Sequence, residues 1–459
     1  VAALDRLIPQ LRARGYRFVT VPQAAVAPAA DPAAITRDWR AGVVVWSVRA
    51  ADAMVAVLWG VLLVVGVLTL LRTVLLCAYA IGHARRRRRP TWSWGAEVTE
   101  PVSVIVPAWN EREGIVGTVR SLVASTHDVE VVVVDDASTD GTAAAVDALG
   151  LPGVRVVRVP KGGKAAALNT GIALSTNPIV VMVDADTVVE PDAVHRLVQP
   201  FADPSVGAVA GNVKVGNRRR MVARWQHIEY VIGFNLDRRL YERFDCIPTV
   251  PGALGAFRRL AVRTAGGVTD DTLAEDTDLT IAVHRAGWRV VYTDDARSWT
   301  EAPATVGQLW RQRYRWSYGT MQALWKHRAG LRDPGRPGRF GRHGLPVLAL
   351  FTVVLPLLAP LVDIFAVYGL LFLDRGDTVL AWTAVMLLQI LIAVIAFRLD
   401  RESLRPLWAL PLQQVVYRQL MYVVLLHSIV TAVSGGRLHW QKLNRTGEAA
   451  QSAPPAPAG

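Results

Sequence analysis

Pro178-Ile179-Val180-Val181-Met182-Val183-Asp184-Ala185-Asp186 decides how the middle of the chain folds. An apolar run rich in β-branched side chains, closed by acidic residues, predicts a buried strand with its charge at the carboxyl end. Two carboxylates one residue apart at a strand end converge on one point and repel unless a cation lies between them. Asp184 and Asp186 are therefore candidate ligands of a hard divalent ion, Mg²⁺ or Mn²⁺, able to steady a departing diphosphate. Asp-x-Asp triplets are common by chance, and it is the apolar strand in front that gives this one weight.

Outward from that strand, β-rich runs at 102–107, 130–135, 154–159 and 206–215 alternate with helical patterns at 113–125, 139–149, 164–175 and 191–202. The alternation predicts a mainly parallel α/β sheet covered by helices. Ligands of such sheets bind at the carboxyl ends of strands. There the first strand runs into Pro107-Ala108-Trp109-Asn110-Glu111 and the second into Asp135-Asp136-Ala137-Ser138-Thr139-Asp140-Gly141. Glu111, Asp135 and Asp136 suit a nucleotide, because carboxylates accept from base N–H groups and ribose hydroxyls. Ser138 or Asp140 could equally begin the next helix as an N-cap. Lys161-Gly162-Gly163-Lys164 opens a helix, where Lys164 and backbone N–H groups can approach a pyrophosphate, or where an ordinary turn can sit.

Two further clusters lie beyond the alternation. Glu275-Asp276-Thr277-Asp278 is placed to supply a general base, although acidic residues also simply favour a helix start. Gln312-Arg313-Tyr314-Arg315-Trp316 combines arginines that clamp phosphate with an indole that stacks on a sugar ring. The same basic–aromatic stretch, with Trp310, Tyr318 and Trp325, could lie along a bilayer surface, and both readings can hold for one helix.

The flanks are apolar. Residues 54–80 are broken mainly by Arg72 and end at the run from Arg85 to Arg89, which reads as a positive-inside stop signal. Later apolar runs cover 345–373, 379–397 and 412–433, the last containing Arg418 and His427, with 404–411 lying along the interface. One span before and three after the central region would put the C-terminus outside, whereas Arg437, Lys442 and Arg445 pull it inside. Those spans account for an apolar content of 52% and for much of a net charge of +13. Because the basic residues gather beside spans rather than along one soluble face, nucleic acid is not expected as a partner. The two cysteines, Cys77 and Cys246, predict neither a disulfide nor a cysteine metal site. Residues 1–50 lack a signal-peptide pattern and read as an amphipathic helix, a Gly turn and a short strand, with an Ala/Pro-rich linker at 22–34.

The ordered set Asp135-Asp136, Lys161-Gly162-Gly163-Lys164, Asp184-Ala185-Asp186, Glu275-Asp276 and Gln312-Arg313-Tyr314-Arg315-Trp316 resembles the processive membrane glycosyltransferases of family 2, the chitin-oligosaccharide, poly-N-acetylglucosamine, hyaluronan and cellulose synthases. The match is dense over about residues 100–330. The resemblance implies a GT-A fold, Rossmann-like, plus transmembrane helices. It implies Asp276 as general base, and Asp135 and Asp136 as the nucleoside pair with Lys164 near the diphosphate. It further implies Asp184 and Asp186 at the metal, with Gln312, Arg313, Arg315 and Trp316 holding the diphosphate and the acceptor sugar. The partners implied are a UDP-sugar donor, a polysaccharide acceptor and the lipid bilayer, with an accessory subunit left open. Ala274 stands where the family has Thr, and no cyclic-dinucleotide regulatory domain follows, which counts against a cellulose synthase. Residues 4–21 resemble the last helix and strand of polysaccharide deacetylase domains without their metal-binding motifs, which implies an N-acetylated product and UDP-N-acetylglucosamine as donor.

The expected organisation is a deacetylase-like remnant and linker at 1–50, a span at 54–82 and a cytoplasmic transferase domain at 98–330. Two or three spans follow at 345–435, then a basic and disordered tail at 436–459. The resemblance places the chain in the inner membrane with its N-terminus outside.

Overall fold

A computed structural model describes residues 2–16, 18, 39–372 and 375–434. The linker at 22–34, the tail at 436–459 and most of the strand expected near 16–21 lie outside the described residues. Residues 1–66 and 67–459 form two separate compact units. In the first, a helix at Ala2–Ala13 ends near Gly15, whose φ of 85° makes the expected turn.

The sheet of the second unit has eight strands: β1 (Val102–Ala108), β2 (Val129–Asp136), β3 (Val154–Val159), β4 (Ile179–Met182), β5 (Val188–Val189), β6 (Val206–Val215), β7 (Gly255–Arg258) and β8 (Arg289–Thr300). Their order is β3-β2-β1-β4-β7-β6-β8-β5. β1 pairs in parallel with β2 and β4, and β2 with β3. β7 runs antiparallel to both β4 and β6, and β5 antiparallel to β8. The sheet is therefore mixed rather than mainly parallel. The reversal in mid-sheet rests on β7, a four-residue Gly-Ala-Phe-Arg strand inserted between β4 and β6.

Both faces of the central strands are buried, which is why they read as near-continuous valine runs. Side chains alternate across the sheet. Val104, Val106, Val131 and Val133 enter one core with Ile115 and Leu122 of the helix Arg112–Val123. Ile105, Val132 and Val134 enter the other with Ala167 and Leu168 of the helix Gly163–Leu174. Gly171 lets that helix ride directly on the sheet, since a Cβ there would lie 2.4 Å from Ile105 Cγ2.

Among the described residues, four helical segments are long and apolar enough to cross a membrane: Val43–Arg87, Pro337–Phe372, Arg375–Leu399 and Arg405–Ser434. Three of the charges within them find partners. Arg72 pairs with Asp237 at 2.7 Å, and Arg418 pairs with Asp363, which also accepts from Gln419 at 2.6 Å. A third apolar core joins Leu76 and Ala80 to Trp225, Ile228, Phe397, Leu410 and Tyr417, seating the helix Met221–Glu229 against the membrane-type helices. The loop after Leu399 is tied to β6 by a buried cluster in which Asp400 pairs with Lys214 and accepts from Asn212 and Asn235 at 2.8 Å each.

Candidate active site

The loops at the carboxyl ends of β1 and β2 brace one another. Asn110, at φ 55°, donates its backbone N–H to Ser138 Oγ at 2.8 Å and accepts from the Thr139 N–H at 2.7 Å. The Glu111 N–H donates to Thr142 Oγ1 at 2.8 Å. Asp140 accepts from the Thr142 N–H at 3.0 Å, so it caps locally and shortens the expected helix at 139–149 to Thr142–Asp147. Gly141, at φ 86°, supplies the left-handed turn before that helix.

Asp135 and Asp136 are both buried yet do different things. Asp136 accepts from the Gly162 N–H at 2.6 Å, the Gly163 N–H at 3.0 Å and Lys161 Nζ at 2.6 Å. It thereby folds the Lys-Gly-Gly-Lys loop, and Lys161 lies 3.5 Å above the Trp109 ring. Asp135 Oδ1 is buried without a hydrogen-bond partner among the described residues, which a ligand N–H or hydroxyl would satisfy.

Lys164 Nζ lies 2.7 Å from Asp184 and 2.8 Å from Glu275, joining the end of β4 to the start of the helix Glu275–Arg285. A cavity lined by Lys164, Asp184, Gly252, Glu275 and Asp276 opens there. Gly252 lets the chain pass this close, since a Cβ would lie 2.9 Å from Lys164 Nζ and 3.3 Å from Asp184 Oδ1. Asp186 is buried beside Asp184's turn, with Oδ1 3.3 Å from Thr300 Oγ1 and from Thr187 Oγ1. The turn itself is pinned by Thr118 Oγ1 donating to the Ala185 carbonyl at 2.9 Å.

Electrostatics separate the acidic neighbours. Burial and the Glu275 charge push Asp276 up to about 6, against the pull of Lys164. Burial would also raise Glu275, but the Lys164 ammonium outweighs it and holds Glu275 below the usual carboxylate range. Asp278 is buried too, but hydrogen bonds from His327, Lys326 and Thr269 hold it down to about 2. Asp276 is thus the carboxyl of the cluster whose proton affinity is nearest neutrality.

Gln312, Arg313 and Trp316 lie on the helix Val306–Lys326 and do not line that cavity. Arg313 donates Nη1–H to Glu229 at 2.9 Å, has Nη2 in an ion pair with the same carboxylate at 2.7 Å, and sits 4.4 Å from the Trp316 ring. Arg315 acts on Glu275 through its charge. Glu229, Gly252, Thr300 and Gly319 had no motif to reveal them, since each works through a neighbour distant in sequence. Gly319 is the sharpest case, because its Cα faces the Leu273–Ala274 backbone immediately before Glu275.

The acidic site accepts a hard cation by its chemistry, since Asp184 and Asp186 offer only oxygen donors. Among the described residues no three His, Cys, Asp or Glu side chains gather to hold a metal alone. Asp184 and Asp186 would hold such an ion together with a ligand's own oxygens, an arrangement typical of Mg²⁺-type ions on phosphates.

Residues 100–319 match the family model described as glycosyltransferase like family 2. The poly-β-1,6-N-acetyl-D-glucosamine synthase of Staphylococcus aureus is 31% identical over 229 residues, covering 49% of this chain and 56% of that protein. The Staphylococcus epidermidis protein of the same name is 30% identical over the same lengths. The chain thus spans about half the length of the curated relatives it matches. A mannosyltransferase from Pyrobaculum calidifontis, solved with GDP-mannose and Mn²⁺, superposes with a TM-score of 0.57 at 25% identity, covering 81% of this chain and 99% of that one. Family match and superposition together assign the GT-A glycosyltransferase fold.

Proposed function

We propose, from the premise that residues 100–319 form a glycosyltransferase family 2 domain, that the chain transfers N-acetylglucosamine from UDP-N-acetylglucosamine to a growing β-linked polysaccharide. Transfer is processive and inverting, and the apolar helices pass the product through the inner membrane from a cytoplasmic catalytic domain. The observation that carries this reading is the pair of opposed carboxyls at the mouth of the Lys164 cavity. Asp276 is raised to about 6 while Glu275 stays ionised. A base near neutrality is what removal of a hydroxyl proton during attack on an anomeric carbon requires. The N-acetyl assignment is supported by the named synthases and by the deacetylase-like segment at 4–21.

In this mechanism Asp135 receives the nucleoside, with Glu111 at the adjoining loop. Lys164 exchanges part of its contact with Asp184 for the donor's diphosphate. Asp184 and Asp186 would hold a Mg²⁺ or Mn²⁺ ion, whose chemistry there would be neutralisation of charge on the leaving diphosphate. Asp276 takes the proton of the acceptor hydroxyl. Gln312, Arg313, Arg315 and Trp316 form the diphosphate and acceptor end, where the indole offers a face to a sugar ring.

Purified protein in lipid nanodiscs, given Mn²⁺ and UDP-N-acetylglucosamine, is expected to release UDP and make long product, both abolished in Asp276→Asn. The Pyrobaculum neighbour makes GDP-mannose the informative second donor. GDP release with a one-sugar product would replace the polymer reading. A folded protein that releases nothing from either donor would refute transferase activity of the chain on its own.

A further inference from the structure

The strongest positive feature lies away from the acidic site. A cavity of about 590 Å³ is lined by Arg243, Arg289, Arg336, Arg339 and Arg342, with Glu242 and Asp245 as its acidic members. Arg289 opens β8 and Ser205, also lining, precedes β6. β6 and β8 run parallel to each other, and β6 runs parallel to β4 because both oppose β7. The cavity therefore lies at the amino ends of these strands, whereas Asp184 follows the carboxyl end of β4. The two sites share no lining residue.

The carboxylates present neutralise only part of the guanidinium charge. Glu242 is taken by Arg87 at 2.8 Å, with His83 at 3.1 Å. Asp245 is shared between Arg339 at 3.5 Å and Arg336 at 3.9 Å. Arg289 pairs with Asp203 at 2.9 Å. Arg342 donates only to backbone carbonyls, those of Asp333 and Gly335, at 2.7 and 2.9 Å. Arg243 makes no hydrogen bond or ion pair among the described residues, and its guanidinium is available. Like charges gathered around a cavity of ligand size repel, and a multivalent anion relieves that repulsion.

The position says which anion. Arg336, Arg339 and Arg342 are spaced three apart at the start of the membrane-type segment Pro337–Phe372. Glu242, on the cavity wall, is bound by Arg87, the residue that closes the membrane-type segment Val43–Arg87. The cavity thus lies beside the end of an apolar span, near the level where phosphate groups of lipids are densest.

We propose that this arginine cavity binds a phosphate monoester or diester at the membrane surface, its source being the headgroup of an anionic lipid. Free phosphate compounds share the chemistry, and the experiment separates the two. Full-length protein is placed in nanodiscs of phosphatidylcholine, with or without phosphatidylglycerol, and retained lipid is measured by native mass spectrometry. Pyrophosphate is titrated against the phosphatidylcholine sample with thermal unfolding as readout. Wild type should retain phosphatidylglycerol, and the double variant Arg243→Gln/Arg339→Gln should bind it roughly 30-fold more weakly, about tenfold or less being lost per guanidinium. The variant Arg243→Lys/Arg339→Lys, which keeps the charge, should retain most binding and guards against misfolding as the cause. Arg158→Gln, an exposed arginine outside the cavity, should behave as wild type. Stabilisation by pyrophosphate without selective lipid retention would overturn the lipid source. Equal lipid retention and equal pyrophosphate response in wild type and the Gln double variant would overturn the site.

Discussion

Gly319 offers a test of how tightly the catalytic loop is held. A Cβ built there lies 2.6 Å from the Ala274 nitrogen, 2.8 Å from Ala274 Cβ and 2.8 Å from the Leu273 carbonyl carbon. Reaching ordinary contact requires a separation of about 0.8 Å between the helix Val306–Lys326 and the loop leading into Glu275 and Asp276. The obstacle is backbone, so no rotamer can yield. Two effects compete in Gly319→Ala. Helix propensity favours alanine by about 1 kcal/mol. Overpacking costs about 1–3 kcal/mol, and a shift of nearly 1 Å at a reacting group can cost ~100-fold in rate. The steric term wins, so UDP release should fall by roughly 10- to 100-fold, with a lowered unfolding temperature. Gly307, in the first turn of the same helix, has nothing within 4 Å of a built Cβ. Gly307→Ala should therefore leave UDP release unchanged. Equal activity of wild type, Gly307→Ala and Gly319→Ala would refute the claim that this helix fixes the position of Asp276.

Other expectations are more local. Asp276 must be ionised to accept a proton, so UDP release should fall as pH drops through about 6. Glu275→Gln removes a negative neighbour of Asp276 and concentrates Lys164 on fewer carboxylates; both changes favour ionised Asp276, so the acid limb should move to lower pH, and an unmoved limb would exclude the pairing. Because Asp276 is raised in the folded state, its neutral form contributes stability at low pH that is lost as pH rises through about 6. Thermal unfolding should therefore show Asp276→Asn gaining on wild type as pH climbs from the unfolded value of 3.8 to about 6 and no further change above it, and curves parallel across that window would argue against a buried, raised carboxyl. Asp400→Ala leaves the fully buried Lys214 without its nearest carboxylate and should cost about 3–5 kcal/mol in detergent unfolding, whereas Lys214→Met/Asp400→Ala should recover much of it. A double variant as unstable as the single one would mean that the ion pair is not the source of the loss.

What the sequence revealed depends on what each residue is for. β1, β2 and β6 were legible because apolar runs buried on both faces have few alternative readings, and β3 because its four valines are broken only by the exposed Arg155 and Arg158. β7 was not, since four residues carry no period. β8 was hidden by Thr293, Asp294, Asp295, Arg297 and Ser298, polar residues whose reasons lie elsewhere in the chain. Asp294 accepts from Arg239 at 2.8 Å, and Arg297 donates to the Asp400 carbonyl. At the site, Asp135 and Asp136 looked equivalent in sequence, and only folding shows Asp136 spending both oxygens on the Lys161–Gly163 loop. Nothing local to Gly252 says that its Cα must pass Lys164. Motifs report groups that face a ligand; the groups that hold them in place leave no local trace.

The helix bearing Gln312, Arg313 and Trp316 is fastened to membrane-type helices as firmly as to the transferase sheet. Glu229 accepts a hydrogen bond from Arg313, with which it is also ion-paired, and another from Tyr417 Oη at 2.6 Å, so one carboxylate joins three helical segments. Gln413 donates to the Trp225 carbonyl at 3.2 Å, and the Trp225 indole N–H donates to the Ala409 carbonyl at 3.1 Å. On the same helix, Tyr314 stacks on His427 with centroids 4.5 Å apart and lies 2.6 Å from Thr431 Oγ1. For Arg313 to take its proposed place at a diphosphate it would have to release its carboxylate partner Glu229, which Tyr417 would continue to satisfy. On that proposal, occupation of the diphosphate end would be coupled, through Glu229, to how the last apolar segment packs. A fragment ending before Arg405 would lack Tyr417 and Gln413, and with Tyr417 the second hydrogen bond that satisfies Glu229 beside Arg313.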